Sequence, residues 1–308
     1  MHGLIIADIE GIIGIYDFMN DVENSKVVYT REIEVYIKAF QKNGVEKITV
    51  CDAHSAGDMI LPRIVTENVA LVSTVNNLSF DEKYDFAIMV GFHGRGEAHG
   101  IFPHTFRFDF KHIFIRGNPV GEVEIFVRWL GAKGVPVILV TGDREATYEA
   151  NCFNIYRDVC CVRSLFQSTD DAQALYHKLA AVVDSSMLLD YDKCISSDED
   201  EVNVQFCNPD TSKLLSQKGY LEKDGKILFA SCSEFVEKLY QLIDEMNKIN
   251  EFHVKINTEF LQTVRTLIKS HSREEVENSE IAHLLKTNRY FLDEASRHRI
   301  LAILGGQK

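Results

Sequence analysis

Short apolar segments alternate with helical patterns through the first half of this chain of 308 residues. Residues 3–7, 47–51 and 86–90 are brief apolar runs, whereas residues 29–41 carry apolar side chains at helical spacing and stop at 43–44, an Asn-Gly pair. A buried strand needs only such a short run, and a helix that faces a core needs the longer period. The alternation predicts an α/β fold with a mostly parallel central sheet flanked by helices on both faces.

The rest of the chain adds further predicted elements. Strands are expected at 69–72, 113–115, 135–140, 202–206 and 227–230, and helices from Pro119 to about Ala132, from Asp143 onward, over 170–183 and over 233–246 with Ser233 as the cap. The acidic residues 196–201 are expected to form a solvated loop. We therefore predict an α/β core over 1–150, a smaller α+β region over 151–250 that completes the same unit, and a helical C-terminal extension over 251–308.

The charge of the chain argues against two classes of partner. A net charge of −13 is unsuited to general nucleic-acid binding and to docking on an anionic membrane surface. No apolar run approaches the roughly 18–20 residues of a membrane span, and the N-terminal apolar stretch is interrupted by Asp8 and Glu10, so we expect no signal peptide. The seven cysteines form no CxxC pair, which favours a reducing cytoplasmic location over a disulfide framework.

Acidic and histidine residues stand where several predicted strands end. Asp8 and Glu10 follow the first strand two residues apart, so their side chains point the same way. His54 follows the second strand, and His93 follows the strand at 86–90. In an open α/β sheet, ligands bind at the carboxyl edge of the parallel strands. We therefore expect these four side chains to meet at one site.

Carboxylates and imidazoles gathered at one edge have the chemistry of a divalent metal site. Zinc accepts both ligand types. Carboxylates that share a pocket repel each other severely unless cations lie among them. A bridging aspartate with two ions about 3.5–4 Å apart relieves that repulsion and prepares a water nucleophile. Residues 1–150 are thus predicted to form a metal-binding core.

Each of these residues also has an ordinary structural explanation when taken alone. A loop histidine is more often satisfied by hydrogen bonds alone. Glu122, in the first turn of a predicted helix, interacts favourably with the helix dipole. The prediction therefore depends on the coincidence of several residues at strand ends rather than on any one of them.

Four segments of the chain, in order, resemble the motifs of a known family. They match the D-x-E-G, D-x-H-S, G-aromatic-H and P-V-G-E segments of the DppA-type D-aminopeptidase family of zinc peptidases, peptidase family M55. Here the segments read Asp8-Ile9-Glu10-Gly11, Asp52-Ala53-His54-Ser55, Gly91-Phe92-His93 and Pro119-Val120-Gly121-Glu122, with a further histidine of the family's pattern at His104. Order and approximate spacing agree across residues 1–150, and a weaker likeness continues to residue 248.

The resemblance implies a metal centre and an activity. It implies that two zinc ions per subunit are ligated by Asp8, Glu10, His54, His93 and Glu122, with Asp8 as the bridge. It implies that His104 is a catalytic group beside them. Manganese is the alternative metal, because a carboxylate-rich shell accepts either ion.

The implied enzyme is a zinc-dependent aminopeptidase or amidase that uses metal-activated water. Its expected substrates are short peptides, especially those containing D-amino acids, or aminoacyl amides, cleaved at the N-terminal amide bond. The resemblance also implies a homo-oligomer, ring-like and with a decamer as one arrangement, whose active sites face an inner cavity.

Two other functions stay open at this point. A two-metal site also serves hydrolysis of another amide or of a phosphoester, although only Arg95 and Arg116 stand near the motifs to neutralise a phosphate. A non-catalytic oligomeric relative would keep the metal site only for structure. Serine-hydrolase and zincin mechanisms are disfavoured, because the sequence contains neither a G-x-S-x-G elbow nor an H-E-x-x-H helix.

Overall fold

The computed structural model describes residues 1–15, 21–98, 102–151 and 172–249 of the chain. Its strands are β1 His2–Ala7, β2 Lys47–Asp52, β3 Val69–Ser73, β4 Phe86–Phe92, β5 Phe110–Ile115, β6 Asn118–Val120, β7 Val137–Gly142, β8 Val202–Phe206, β9 Leu221–Lys223 and β10 Lys226–Phe229. Its α-helices are α1 Val22–Lys42, α2 Glu122–Ala132, α3 Arg144–Asn151, α4 Ala172–Ser186, α5 Asp210–Ser216 and α6 over 232–249. The helical extension predicted for 251–308 lies outside the described residues.

A parallel sheet of five strands, in the order β3-β2-β1-β4-β7, forms the centre of the fold. Every residue of β4 is buried, as expected for a central strand with both faces covered. Helices flank this sheet, with α1 packed against α4 and α2 packed against α3. The predicted α/β class with a mostly parallel, helix-flanked sheet is confirmed.

The direction in which strands are added to the sheet reverses between β1 and β4. From β1 the chain builds outward through β2 to β3, and it then returns to the other side of β1 as β4. The two central strands run parallel, with Gly3 opposite Phe86 and Ala7 opposite Val90. Such a switch point leaves a crevice at the carboxyl ends of its two strands, which is where open α/β sheets bind ligands. Residues that follow β1 and β4 therefore enter this crevice.

A second, antiparallel sheet has the strand order β6-β5-β8-β10-β9. The strand predicted at 113–115 is part of β5 and therefore belongs to this sheet, not to the parallel one. The predicted strands at 202–206 and 227–230 are its members β8 and β10. Because β6 leads directly into α2, this sheet also brings the start of α2 to the crevice.

The prediction that a helix starts at Pro119 is wrong. Arg116 and Gly117 both adopt left-handed backbone angles, with φ of 53° and 77°, and turn the chain into a hairpin. Pro119 then pairs opposite Phe114 in β6, an edge strand that tolerates a missing N–H group. The helix begins three residues later, at Glu122.

The start of α6 corrects two further expectations. Ser233 is not the cap, because the Oγ atom of Ser231 accepts the N–H of Glu234 at 3.2 Å. The carboxylate of Asp198 accepts the N–H groups of residues 232 and 233 at 2.7 and 2.8 Å. The acidic loop at 196–201 is therefore a structural part of the fold as well as a solvated one, because its carboxylate satisfies the orphan donors of a helix.

The chain divides into two compact units. The first comprises residues 1–209 and 220–240 and contains both sheets, and the second comprises 210–219 and 241–308. Within the described part of the second unit, Glu245 pairs with Lys218 at 3.4 Å and with Lys248 at 2.8 Å. The predicted boundaries near residues 150 and 250 stay predictions. No helix in the described ranges has the length and apolar character needed to cross a membrane.

One buried acid on α1 carries a strongly shifted pKa. The Glu32 side chain is 2% exposed and accepts hydrogen bonds from the Ile13 N–H at 2.8 Å and the Tyr36 hydroxyl at 3.5 Å. Burial raises the pKa of Glu32 to about 7, although both hydrogen bonds oppose the shift. The folded protein therefore holds a proton on this acid at pH values where the unfolded chain releases it.

We expect Glu32→Gln to stabilise the protein mainly at high pH. Between pH 4.5 and about 7 the folded state binds more protons at Glu32 than the unfolded state does. The contribution of Glu32 to the free energy of unfolding therefore falls as the pH rises through that window. The substitution should raise the free energy of unfolding by about 1–3 kcal/mol at pH 8 and by less at pH 5. Urea unfolding at both pH values measures this, with the exposed Glu67→Gln as control; an equal gain at both pH values would contradict the assignment.

Candidate metal centre

Asp8 and Glu10 lie in the loop that leaves β1 and are buried, with exposures of 4% and 2%. Backbone hydrogen bonds attach this loop to the end of β4: the Asp8 N–H donates to the Val90 carbonyl at 2.8 Å and the Gly11 N–H donates to the Gly91 carbonyl at 2.7 Å. The two carboxylates are thereby held beside the residue that follows β4, as the sequence pattern predicts.

Two glycines permit this close approach of backbone segments. A Cβ atom on Gly11 would overlap the Phe92 carbonyl oxygen. Gly91 has a φ of 72°, and a Cβ atom there would overlap the Asp8 carbonyl oxygen. Both positions thus require a residue without a side chain. The lack of space for a Cβ atom therefore explains the glycines of the D-x-E-G and G-aromatic-H segments.

His54 reaches the same place from the end of β2. The Oδ2 atom of Asp52 accepts the backbone N–H groups of 59–60 at 2.7 and 2.8 Å, which folds the intervening loop back on the strand end. The His54 Nδ1 atom then lies 3.2 Å from Asp8 Oδ1 and 3.1 Å from Glu10 Oε2. Asp52 therefore shapes the loop that presents His54.

His93 follows β4 and is 2% exposed. Its Nδ1 atom lies 2.9 Å from the Gly94 carbonyl oxygen and must donate there, because a carbonyl only accepts. The Nε2 atom faces Asp8 Oδ2 and Glu122 Oε1, each at 3.4 Å. Asp143, at the end of β7, accepts the Gly94 N–H at 2.9 Å and so fixes the backbone beside the imidazole. The sequence pattern predicts for Asp143 only that it starts a helix.

Glu122 is the first residue of α2, and its Oε1 atom also accepts the Phe106 N–H at 2.7 Å. Its position depends on Glu149 of α3, whose Oε1 atom accepts the N–H groups of Gly121 and Glu124, each at 2.9 Å. Burial raises the pKa of Glu149 to about 7. Sequence reasoning missed Glu149, because a helix cap supplied from 28 residues away leaves no local signal.

His104 lies beside His93, on the side of the site that leads toward the surface. Its Nδ1 atom donates to the Phe102 carbonyl at 2.7 Å, for the same reason as in His93. Its ring is stacked on that of His93, with centroids 4.2 Å apart and planes 9° from parallel. The Nε2 atom is 3.8 Å from Glu10 Oε1, close enough to face the site but longer than a hydrogen bond. The imidazole is thus oriented toward the carboxylates.

All six predicted side chains meet in this crevice. Their ligand atoms form three groups, each with its atoms within 4.8 Å of one another: Asp8, Glu10 and His54; Asp8, His93 and Glu122; Glu10, His93 and His104. Asp8 presents Oδ1 to His54 and Oδ2 to His93, so one carboxylate lies between two groups of ligand atoms.

The residues fit a divalent cation. Two ligand atoms of a tetrahedral zinc ion, with bonds of about 2.0–2.1 Å, lie roughly 3.3 Å apart. The imidazole–carboxylate separations around Asp8 are 3.1 to 3.4 Å. Asp8 Oδ2 is buried and has no hydrogen-bond partner among the described residues, an arrangement that is costly unless a cation compensates it.

The charged groups of the site shift one another's pKa values. Burial raises the pKa of Asp8, and the charge of Glu10 raises it further. Burial lowers the pKa of His54, but its hydrogen bonds to the two carboxylates outweigh that effect and raise the pKa to about 11. Without a metal, the carboxylates therefore draw protons onto the imidazoles, and a metal ion would replace those protons.

Comparison with known proteins identifies related sequences. The sequence pattern of the D-aminopeptidase family matches residues 1–226. The D-aminopeptidase of Bacillus subtilis (strain 168) is 28% identical over 157 residues, which cover 47% of this chain and 57% of the relative. The alignment thus spans little more than half the length of that curated relative.

A solved structure shares the fold. The structure described as the zinc-dependent D-aminopeptidase DppA from Bacillus subtilis, a self-compartmentalizing protease, superposes with a TM-score of 0.66 and 21% sequence identity. The superposition covers 80% of this chain and 98% of the other. Because the family pattern extends over most of the 308 residues, the chain belongs to the DppA-type D-aminopeptidase family, peptidase family M55.

Proposed function

We propose that this protein is a dinuclear zinc aminopeptidase that hydrolyses the N-terminal amide bond of short peptides or aminoacyl amides. The observation that carries the proposal is the position of Asp8, with one oxygen in each of two groups of ligand atoms. The ligands are Asp8, Glu10, His54, His93 and Glu122, with Asp8 as the bridge between two ions. A preference for D-amino acids is proposed from the activity in the names of the relatives.

The protein's own contribution is to hold the ligands in position. A pair of zinc ions held by these ligands would supply an activated water molecule and would polarise the scissile carbonyl. The hydrogen bond from His93 Nδ1 to Gly94 leaves Nε2 for the metal, and the Asp52 carboxylate fixes the loop of His54. Such supporting bonds set the orientation and basicity of metal ligands.

His104 is the proposed proton-transfer group. Its Nδ1 proton is engaged by the Phe102 carbonyl, so Nε2 is the atom that can take or give a proton or stabilise an oxyanion. The imidazole stacks on His93 and faces Glu10, which places it beside the ligands without the short contacts that the other imidazoles make. We therefore assign it to catalysis rather than to metal binding.

Asp8→Asn should abolish both metal binding and hydrolysis. The amide keeps the size of the side chain but removes the charge that both ions would share, so metal content should fall from two zinc ions per chain to fewer than one. Elemental analysis after zinc loading measures the content, and a panel of D- and L-aminoacyl amides measures activity.

Asp58→Asn is the matched control, because Asp58 is an exposed carboxylate in the loop after His54. It should keep full metal content and activity. Hydrolysis by a metal-free preparation would refute the proposal. Cleavage of aryl phosphates but not of amides would favour a phosphoesterase, and a zinc-loaded protein inert to every substrate would favour a non-catalytic relative.

His104→Ala should lower kcat by about 10²–10⁴-fold and leave the zinc content at the level of the unchanged protein, because general acid–base groups contribute rate enhancements of this size. Steady-state kinetics on the best amide substrate, together with elemental analysis, test this. Loss of one zinc ion in the variant would make His104 a ligand instead of a proton-transfer group.

We also propose that the protein forms a ring-like homo-oligomer, for which a decamer is the specific expectation. Support comes from the self-compartmentalizing description of the DppA structure. Large apolar side chains also stand exposed on the single chain, among them Leu188 at 87% and Leu221 at 66%. Sedimentation velocity should show one species many times heavier than the 35.1 kDa chain. A monomer at micromolar concentration would contradict this.

A further inference from the structure

Three rings form a continuous stack from the metal centre to the surface. His93 lies 4.2 Å from His104, and His104 lies 4.6 Å from Phe108, with planes 9° and 25° from parallel. Exposure rises along the stack, from 2% for His93 to 13% for the His104 side chain and 67% for Phe108. The outermost ring thus presents apolar surface to solvent directly beside the proposed proton-transfer group.

The backbone holds Phe108 in this exposed position. Its two neighbours, Arg107 and Asp109, form a bidentate ion pair with separations of 2.8 and 2.9 Å. The Phe108 carbonyl accepts from the Cys207 thiol at 3.4 Å, and the Cys207 N–H donates to the Asp109 carbonyl at 2.9 Å. These contacts tie residues 107–109 to the antiparallel sheet, so the ring has a fixed place on the surface.

The direction of a bound substrate follows from the charges, and this step rests on the proposed function. The zinc ions that Asp8 and Glu10 would hold would attract the oxygen of the scissile carbonyl to the buried end of the stack. The scissile amide then lies near His104, which has to reach the leaving nitrogen. The residue on the leaving side continues outward along the stack and meets Phe108.

We propose that Phe108 is a specificity-determining residue that packs against the side chain following the scissile bond. It selects peptides with an aromatic or large apolar residue in that position, because a flat exposed ring packs most favourably against another ring or an apolar side chain. A glycine there would make no such contact. The proposed aminopeptidase would thus prefer certain residues on the leaving side of the scissile bond.

Two dipeptides that share an N-terminal alanine of the preferred chirality, one followed by phenylalanine and the other by glycine, test the proposal. The preference is measured as kcat/KM for the phenylalanine peptide divided by kcat/KM for the glycine peptide. In the zinc-loaded protein, Phe108→Ala should lower this ratio by about three- to tenfold, the range expected for one aromatic pair. The loss should appear as a higher KM for the phenylalanine peptide, and Phe108→Leu should lose less. Tyr148→Ala, which removes an equally exposed ring outside the stack, should leave the ratio unchanged.

Three outcomes would overturn the inference. An unchanged ratio in an active variant shows that Phe108 does not contact the leaving residue. An equal fall in kcat for both peptides shows that the ring only positions His104. A change of sedimentation coefficient in Phe108→Ala shows that the ring packs against another subunit. Absence of hydrolysis of both peptides by the unchanged zinc-loaded protein overturns the proposed function itself and is thereby distinguished from these three.

Discussion

Mutual repulsion among three buried carboxylates is the constraint on which the rest of the site depends. Asp8, Glu10 and Glu122 are each no more than 9% exposed and meet at one edge of the parallel sheet. Removing such charges from water costs several kcal/mol for each ion unless opposite charge lies close by. The two imidazoles can supply it only by taking protons, and Asp8 Oδ2, although 3.4 Å from His93 Nε2, has no hydrogen-bond partner among the described residues. Cations between the carboxylates would supply the missing opposite charge and a partner for Asp8 Oδ2.

The backbone keeps the repelling groups at fixed separations. Gly11, Gly91 and Gly142 lie where three strand ends come too close for a Cβ atom, and hydrogen bonds between these segments lock them together. The Asp143 N–H, for example, donates to the Phe92 carbonyl at 2.9 Å. Because the side chains stem from this clamped backbone, they cannot relieve their repulsion by moving apart. The site is therefore arranged before any ion binds, and little ordering entropy remains to be lost on binding.

The sequence predicted the part of the site that depends on the parallel strands. Asp8, His54 and His93 follow strands with clear apolar patterns, and the carboxyl edge of such a sheet is shared by all of them. The places of His104 and Glu122 came only from family resemblance. Both residues reach the crevice from the side of the antiparallel sheet, and the hydrophobic periodicity of the sequence does not predict that approach.

The misplaced helix start at Pro119 has a similar cause. A left-handed pair at Arg116 and Gly117 decides the hairpin, and a non-glycine residue with positive φ is not visible in a sequence pattern. The caps supplied by Asp198 and Glu149 are equally hidden, because each acts on a helix start about 30 residues away along the chain. Local patterns thus predicted the strands well, and tertiary contacts fixed the boundaries.

The two sheets carry residues with different proposed roles in the site. Most of the proposed ligands stand on the ends of the parallel strands, whereas His104 and Phe108 lie on the segment that enters the antiparallel sheet. That segment contains two bulky residues in the left-handed region, Phe102 and Phe106, at φ of 49° and 61°. Such strain persists only where surrounding contacts impose it, and the bond from Phe106 to Glu122 is one of them. If Phe108 contacts the substrate as proposed, a change of this exposed ring would alter that contact without altering the charge balance of the proposed ligands. The proposed specificity could therefore vary while the proposed metal binding stayed constant.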